Sequence, residues 1–164
     1  MMRRLPRLVR SVGVGLLLAG LAGCASVPVA PSGPIGAVAL DRATAEQAVS
    51  AYRRAHGLSA VELDPALTAV AQRQADAMAA ANLLSHEVAG ALPARLAANG
   101  ADRRAAVENV SAGYPSFAAA LGGWQRSPHH NDNLLFPPMR RMGIAAASAP
   151  GTRYKTFWSL VMTN

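Results

Sequence analysis

The sequence predicts an α+β fold: a three-layer α-β-α sandwich with a small, mainly antiparallel central sheet. Two observations carry this. Near the end of the chain lie two strand patterns, Gly143 to Ala147 and Tyr154 to Met162, joined by the turn Ser148-Ala-Pro-Gly-Thr152. In the second, Tyr154, Trp158, Leu160 and Met162 share one face and Phe157 and Val161 the other, so both faces need cover. Ahead of this hairpin run segments with helix caps and helical periodicity, and helices on both sides of it complete three layers.

The chain opens with Arg3, Arg4, Arg7 and Arg10, followed by an uncharged apolar stretch from Val12 to Leu21. That stretch is shorter than the roughly 20 residues of a permanent span, and reads as an export signal over residues 1–23. It ends in Leu21-Ala-Gly-Cys24, which resembles a bacterial lipobox. Cleavage before Cys24 would leave its thiol carrying a diacylglyceryl group, and two acyl chains suffice for stable anchoring. The alternative is an ordinary signal peptide with an incidental cysteine. Cys24 is the sole cysteine, so no disulfide can form within the folded domain.

Residues 24–43 are rich in Ala, Val, Ser, Gly and Pro, with Pro28, Pro31 and Pro34 spaced by three. Such a composition buries little surface and favours extended backbone, so it reads as a flexible, lipid-anchored linker. Residues 44–164 remain as one domain of a size that supports a real core.

Within it, Thr44 and Gln47 form a capping box for a helix that ends near His56, with Gly57 as its left-handed cap. Asp64-Pro65 starts a second helix. Its apolar stripe is Leu67, Val70, Ala71, Ala75 and Met78, and it ends near Asn82, leaving Leu83 to His86 in a loop. Leu92 to Asn99 is a short helix closed by Gly100. Val107 to Val110 is brief, strand-like or irregular. Ser116 to Gln125 is a further helix, stopped by Ser127-Pro128.

The charge argues against one class of partner. The net charge is +7, but four of the sixteen basic residues lie in the signal and all nine acidic ones after it, so the mature chain carries 12 − 9 = +3. That modest value, with a single Lys, argues against a nucleic-acid binder, which would show a clustered basic face, and the basic pairs Arg53-Arg54, Arg103-Arg104 and Arg140-Arg141 read as solvated surface features.

The chemistry-bearing segments come in a fixed order: Leu63-Asp-Pro-Ala-Leu67, Leu84-Ser-His86, Glu108-Asn109, then Trp124-x-x-Ser127-x-x-His130-x-x-Asn133-Leu134, then Gly143-Ile-Ala-Ala and an aromatic last strand. Together they resemble the CAP superfamily of cysteine-rich secretory proteins, insect venom antigens and plant pathogenesis-related proteins, specifically its bacterial, cysteine-poor branch. The resemblance implies the α-β-α fold already expected, and a pocket built from His86, Glu108 and His130. It also departs from the family. Many eukaryotic members carry a second glutamate where this chain has Ser127, so a four-residue site does not carry over. His129 stands where glycine is usual, and could be an extra or a swapped ligand. Asn109 and Asn133 complete the groove candidates, and are residue types that cap turns and tie loop backbone.

Two histidines and a carboxylate can hold a divalent metal such as Zn²⁺ with an open position for water. A metal-free version is equally coherent, with Glu108 fixing the tautomer of a histidine that acts as a base. Ser85, Ser111 and Ser127 lie near these segments without being marked as nucleophiles. Three functions follow. The first is a lipid-anchored envelope module whose groove takes a lipid, a glycan or a partner protein without chemistry. The second is a metal-assisted hydrolase of peptide or cell-wall material. The third is a structural domain whose histidines hold loops. In each case the protein is exported and anchored, and Ala25 after the lipidation site is an outer-membrane address where two membranes exist.

Overall fold

The computed structural model describes residues 34–101 and 105–164. The signal segment, Cys24, the linker as far as residue 33 and the Arg103-Arg104 pair lie outside the described residues. In chain order the elements are β1 (Gly36–Ala37), α1 (Arg42–Ala55), β2 (Glu62–Leu63), α2 (Pro65–Ala81), α3 (Leu92–Ala97), β3 (Ala106–Ala112), α4 (Phe117–Arg126), α5 (Pro128–Leu134), β4 (Arg141–Ala149) and β5 (Lys155–Thr163). Among the described residues no helix is long and apolar enough to cross a membrane.

The expected hairpin is the centre of the sheet, whose order is β1-β4-β5-β3, with β2 also on β4. All pairings are antiparallel except that of β2. On one face Ile144, Ala146, Trp158, Leu160 and Met162 pack with Val49 of α1 and Leu121 and Trp124 of α4. On the other, Leu67, Val70 and Ala71 of α2 meet Ala145 and Val161, while Ala75 and Met78 meet Ala147 and Phe157. Three layers result, as the two-faced apolar strand requires. The close approach of α2 depends on Gly143, where a Cβ would lie 2.1 Å from the carbonyl carbon of Leu67.

Several boundaries differ from expectation. Helix α1 starts at Arg42, because Asp41 rather than Thr44 is its N-cap and accepts from the amides of Ala43 and Thr44. Inside the expected linker, Gly36 and Ala37 pair with Ser148 and Ala147. Strand β3 is a full seven residues, since β5 offers it a partner from Phe157 to Thr163. Ser127-Pro128 does stop α4, but the same proline opens α5, its preset φ suiting a first helical position. Tyr154 precedes β5 and packs with the Phe157 cluster, not with Trp158. Lys155 has φ +63°, which breaks the alternation at the strand's first residue.

Arg53 fixes the geometry of α5. Its guanidinium is fully buried and donates to the carbonyls of Ser59, Leu134, Phe136 and Met139 at 2.7–3.1 Å. A cation against the last carbonyls of α5 also complements the dipole of that helix.

Candidate functional site

Helix α2 ends in a left-handed Asn82 (φ 48°), and the amide of Leu83 donates back to the carbonyl of Met78. The chain then turns into the loop that carries His86, and the buried amide of Gln74 holds that loop by donating to the Ser85 carbonyl. On β3, Glu108 projects to the same side as Val110, towards α2, and only 3% of its side chain is exposed. His86 meets it through Nδ1, 2.9 Å from Oε2, with its side chain half exposed.

The decisive partner is a residue the sequence reading missed. Arg95 of α3 donates from Nη1 to Glu108 Oε1 (2.9 Å) and from Nη2 to Oε2 (3.0 Å), and is itself buried. Its remaining donors reach the carbonyls of Gly90 (2.7 Å) and His86 (3.2 Å). Ser159 adds a hydroxyl 3.4 Å from Oε1. Buried arginines are rare unless paired, and pairing is a property of the fold, so nothing local marks this one out among the helix residues.

The second histidine lies on α5. His130 Nδ1 is 2.9 Å from Ser127 Oγ, so the serine at the end of α4 partners the imidazole. Asn109 donates to the His130 carbonyl (2.9 Å), while Asn133 donates to the Glu108 carbonyl (3.1 Å) and to Asn109 Oδ1 (2.9 Å). The two asparagines therefore lace α5 to β3. Tyr52 ties α5 to α1 by donating to Asn131 Oδ1 at 2.6 Å. His129 is exposed in the first turn of α5, and the part-buried imidazole beside Ser127 is that of His130.

Electrostatics separate the groups. The hydrogen bond to Glu108 raises the pKa of His86, against a smaller opposing effect of burial. Burial alone would push the Glu108 carboxyl up, but the hydrogen bonds from His86 and Arg95, with their charges, hold it below its ordinary value. His130 is lowered, first by burial and then by the charges of His86 and His129. His86 thus favours the imidazolium and His130 the neutral ring, within electrostatic reach of one another.

This arrangement limits the chemistry. Both oxygens of Glu108 are engaged by the cationic Arg95, which would oppose a divalent ion, and Oε2 is shared with His86. Among the described residues no three His, Cys, Asp or Glu side chains form a group that could hold a metal. The residues present do not fit the three-ligand centre of His86, Glu108 and His130. Glu108 is instead hydrogen-bonded to Nδ1 of His86. Ser85 accepts from the Glu87 amide and Ser111 is buried, so neither is presented as a nucleophile.

A second feature lies on the other layer and had no signal in the sequence. Between the segment before α1, α1 itself and α4 is a largely apolar groove of about 420 Å³, lined by Val38, Leu40, Ala48, Phe117, Leu121 and Trp158 among others. It falls within the roughly 300–1,000 Å³ of small-molecule sites. Its lining comes from segments far apart in the chain.

Residues 46–162 match the family model of the CAP, cysteine-rich secretory protein family. Three solved structures share the fold. An extracellular protein containing an SCP domain from Bacillus anthracis has 25% identity and a TM-score of 0.64, over 74% of this chain and 40% of that one. A cysteine-rich secretory protein from Staphylococcus aureus has 18% identity and a TM-score of 0.57, over 73% and 36%. An outer surface protein from Borrelia burgdorferi has 15% identity and a TM-score of 0.65, over 77% and 97%. The chain thus spans about two fifths of the length of the first two. No curated protein matches it in sequence.

Proposed function

The chain belongs to the CAP family of cysteine-rich secretory proteins, and on that premise we propose that it is an exported, lipid-anchored binding module of the cell envelope. It performs no chemistry, and its groove between α1 and α4 takes the acyl chain of a lipid. The observation that carries this is the groove itself: about 420 Å³, walled by aliphatic and aromatic side chains, with Asp41 at its rim already engaged in capping α1. An unbranched hydrocarbon suits such a lining better than a glycan, whose hydroxyls would find few partners there.

The state of the histidine site supports binding over catalysis. Glu108 is committed to Arg95 and His86, so its carboxylate is held as a structural group rather than offered as a base or a metal ligand. The site acts as a polar lock joining the loop of His86 to β3 and, through the asparagines, to α5. Export rests on the signal-like residues 1–23 and anchoring on the lipobox-like Cys24. The relatives' names, one an extracellular protein and one an outer surface protein, support a place outside the cytoplasm.

The test is titration of the protein with a fluorescent fatty acid, compared with Ala48→Phe, which fills the groove. Saturable binding that is lost in a stably folded Ala48→Phe protein is the expected result. Equal binding by both proteins would overturn the groove assignment. Absence of binding by the wild type would remove the acyl chain as ligand.

A further inference from the structure

The far end of α2 carries an apolar surface that the fold leaves uncovered. Leu83 and Leu84 are 52% and 43% exposed, directly after the helix cap. Ile35, 39% exposed, lies along the same helix, where it lines a shallow groove with Ala77 and Ala80. Adjacent leucines held outward by a left-handed turn gain nothing for the core. Their orientation is enforced by the Leu83 amide bonding to Met78 and by Gln74 bonding to the next loop residue.

The position of this surface suggests what covers it. Ile35 stands at the point where the described chain begins, and the lipobox-like Cys24 is only ten residues before Pro34. A tether of that length reaches at most about 35 Å. A patch of three side chains is too small to hold a protein on a bilayer from solution. Tethering raises the effective concentration of bilayer to about the millimolar range, at which weak contacts become populated.

We propose that Ile35, Leu83 and Leu84 form a foot that rests on the lipid surface of the membrane in the anchored protein; this builds on the lipid-anchor reading of Cys24. The charged side chains nearby in the sequence are Arg73, Asp76 and Glu87, Asp76 being engaged by Gln72, and the contact made by the foot itself is apolar. Docking this way brings His86, two residues beyond Leu84, to the membrane surface and leaves α1, on the opposite layer, facing away.

The experiment uses the full chain purified with its native lipid from a bacterial host and placed in phosphatidylcholine vesicles. A fluorophore is attached at Ala80→Cys, beside the foot, or at Ala51→Cys, on the exposed side of α1. Quenching by brominated lipid is then measured. The expected result is quenching at residue 80 but not at residue 51, lost when Leu83→Ser/Leu84→Ser is added while the protein still sediments with the vesicles. Equal quenching at both positions, or at residue 80 with both serines present, would overturn the foot and leave the anchor intact. Sedimentation and mass spectrometry of Cys24→Ser beside the wild type test the anchor separately. A wild type without the lipid mass that stays in the supernatant sinks the anchor and, with it, the tethered foot.

Discussion

Arg95 grips Glu108 at two points, with Nη1 and Nη2 at 2.9 and 3.0 Å from the two carboxylate oxygens and both side chains at most 4% exposed. The pair lies where the loop of His86, helix α3 and strand β3 meet, and it engages both oxygens of the candidate catalytic carboxylate.

Truncating one partner leaves the other as an uncompensated buried charge. Arg95→Met is expected to lower stability by about 3–5 kcal/mol, and Arg95→Met/Glu108→Met to recover most of that loss. Urea unfolding of the four proteins of the cycle measures it. A single mutant as stable as the wild type would show that the pair is solvated and weak.

The two imidazoles are expected to pull stability in opposite directions with pH. His86 is raised, so its contribution is fully present below the ordinary value of 6.5 and is lost as pH rises through its folded pKa. His130 is lowered, so its contribution is present above 6.5 and is lost as pH falls through its folded pKa. The loss caused by His86→Ala should therefore be larger at acid pH than at alkaline pH, and that caused by His130→Ala the reverse. NMR titration should place the His86 midpoint above that of His130. Coincident midpoints would remove the electrostatic distinction.

Two glycines should respond differently to the same added methyl. At Gly143 the Cβ meets the backbone of Leu67 and Thr68 at 2.1–2.4 Å, and backbone cannot give way, so Gly143→Ala should cost about 1–3 kcal/mol or more. At Gly123 the obstacle is the end of the Tyr114 ring, with the hydroxyl 2.2 Å away. That ring can swing outward, and alanine gains about 1 kcal/mol over glycine inside a helix. Gly123→Ala should thus stay within about 1 kcal/mol of the wild type, and equal thermal shifts for the two variants would contradict this.

Removing Arg53 strands the carbonyls it binds. Each buried acceptor left unsatisfied costs about 1–3 kcal/mol, so Arg53→Met should be among the most destabilising single changes. Arg53→Lys should not rescue it, because an ammonium lacks the planar fork that reaches four carbonyls. Hydrogen exchange in α5 should rise in both. Unchanged protection there would show that α5 is held by the asparagines alone.

With Glu108 occupied, calorimetry should detect no tight one-to-one zinc binding by the wild type. Tight binding that disappears in His86→Ala/His130→Ala would instead establish a metal centre and revive the hydrolase.

Whatever depends on near neighbours could be read from the chain alone. Asp64-Pro65 and Asn82 bound α2, Gly57 follows α1, and the two-faced apolar pattern of Trp158 and Val161 requires helices on both sides of the sheet. Those signals arise within one turn of helix or one strand, so they survive without knowledge of the fold. The order of His86, Glu108 and His130 was likewise visible, and these residues do lie in one region.

What each of them touches depends on contacts between distant segments. Asp41 outcompetes Thr44 as a cap because its carboxylate reaches two amides, a matter of geometry that a capping-box pattern does not rank. Arg95 stands 13 residues from Glu108, and Asn133 lies 24 from Asn109, pairings that exist only once α3 and α5 have packed beside β3. Ser127 could be noticed as a missing glutamate, yet its bond to His130 needed α5 to form at all. The groove joins Leu40 to Phe117 and Trp158, which only the stacking of layers brings together. Local sequence sets which surfaces are apolar and where helices begin; which polar group satisfies a buried charge depends on what packs over it.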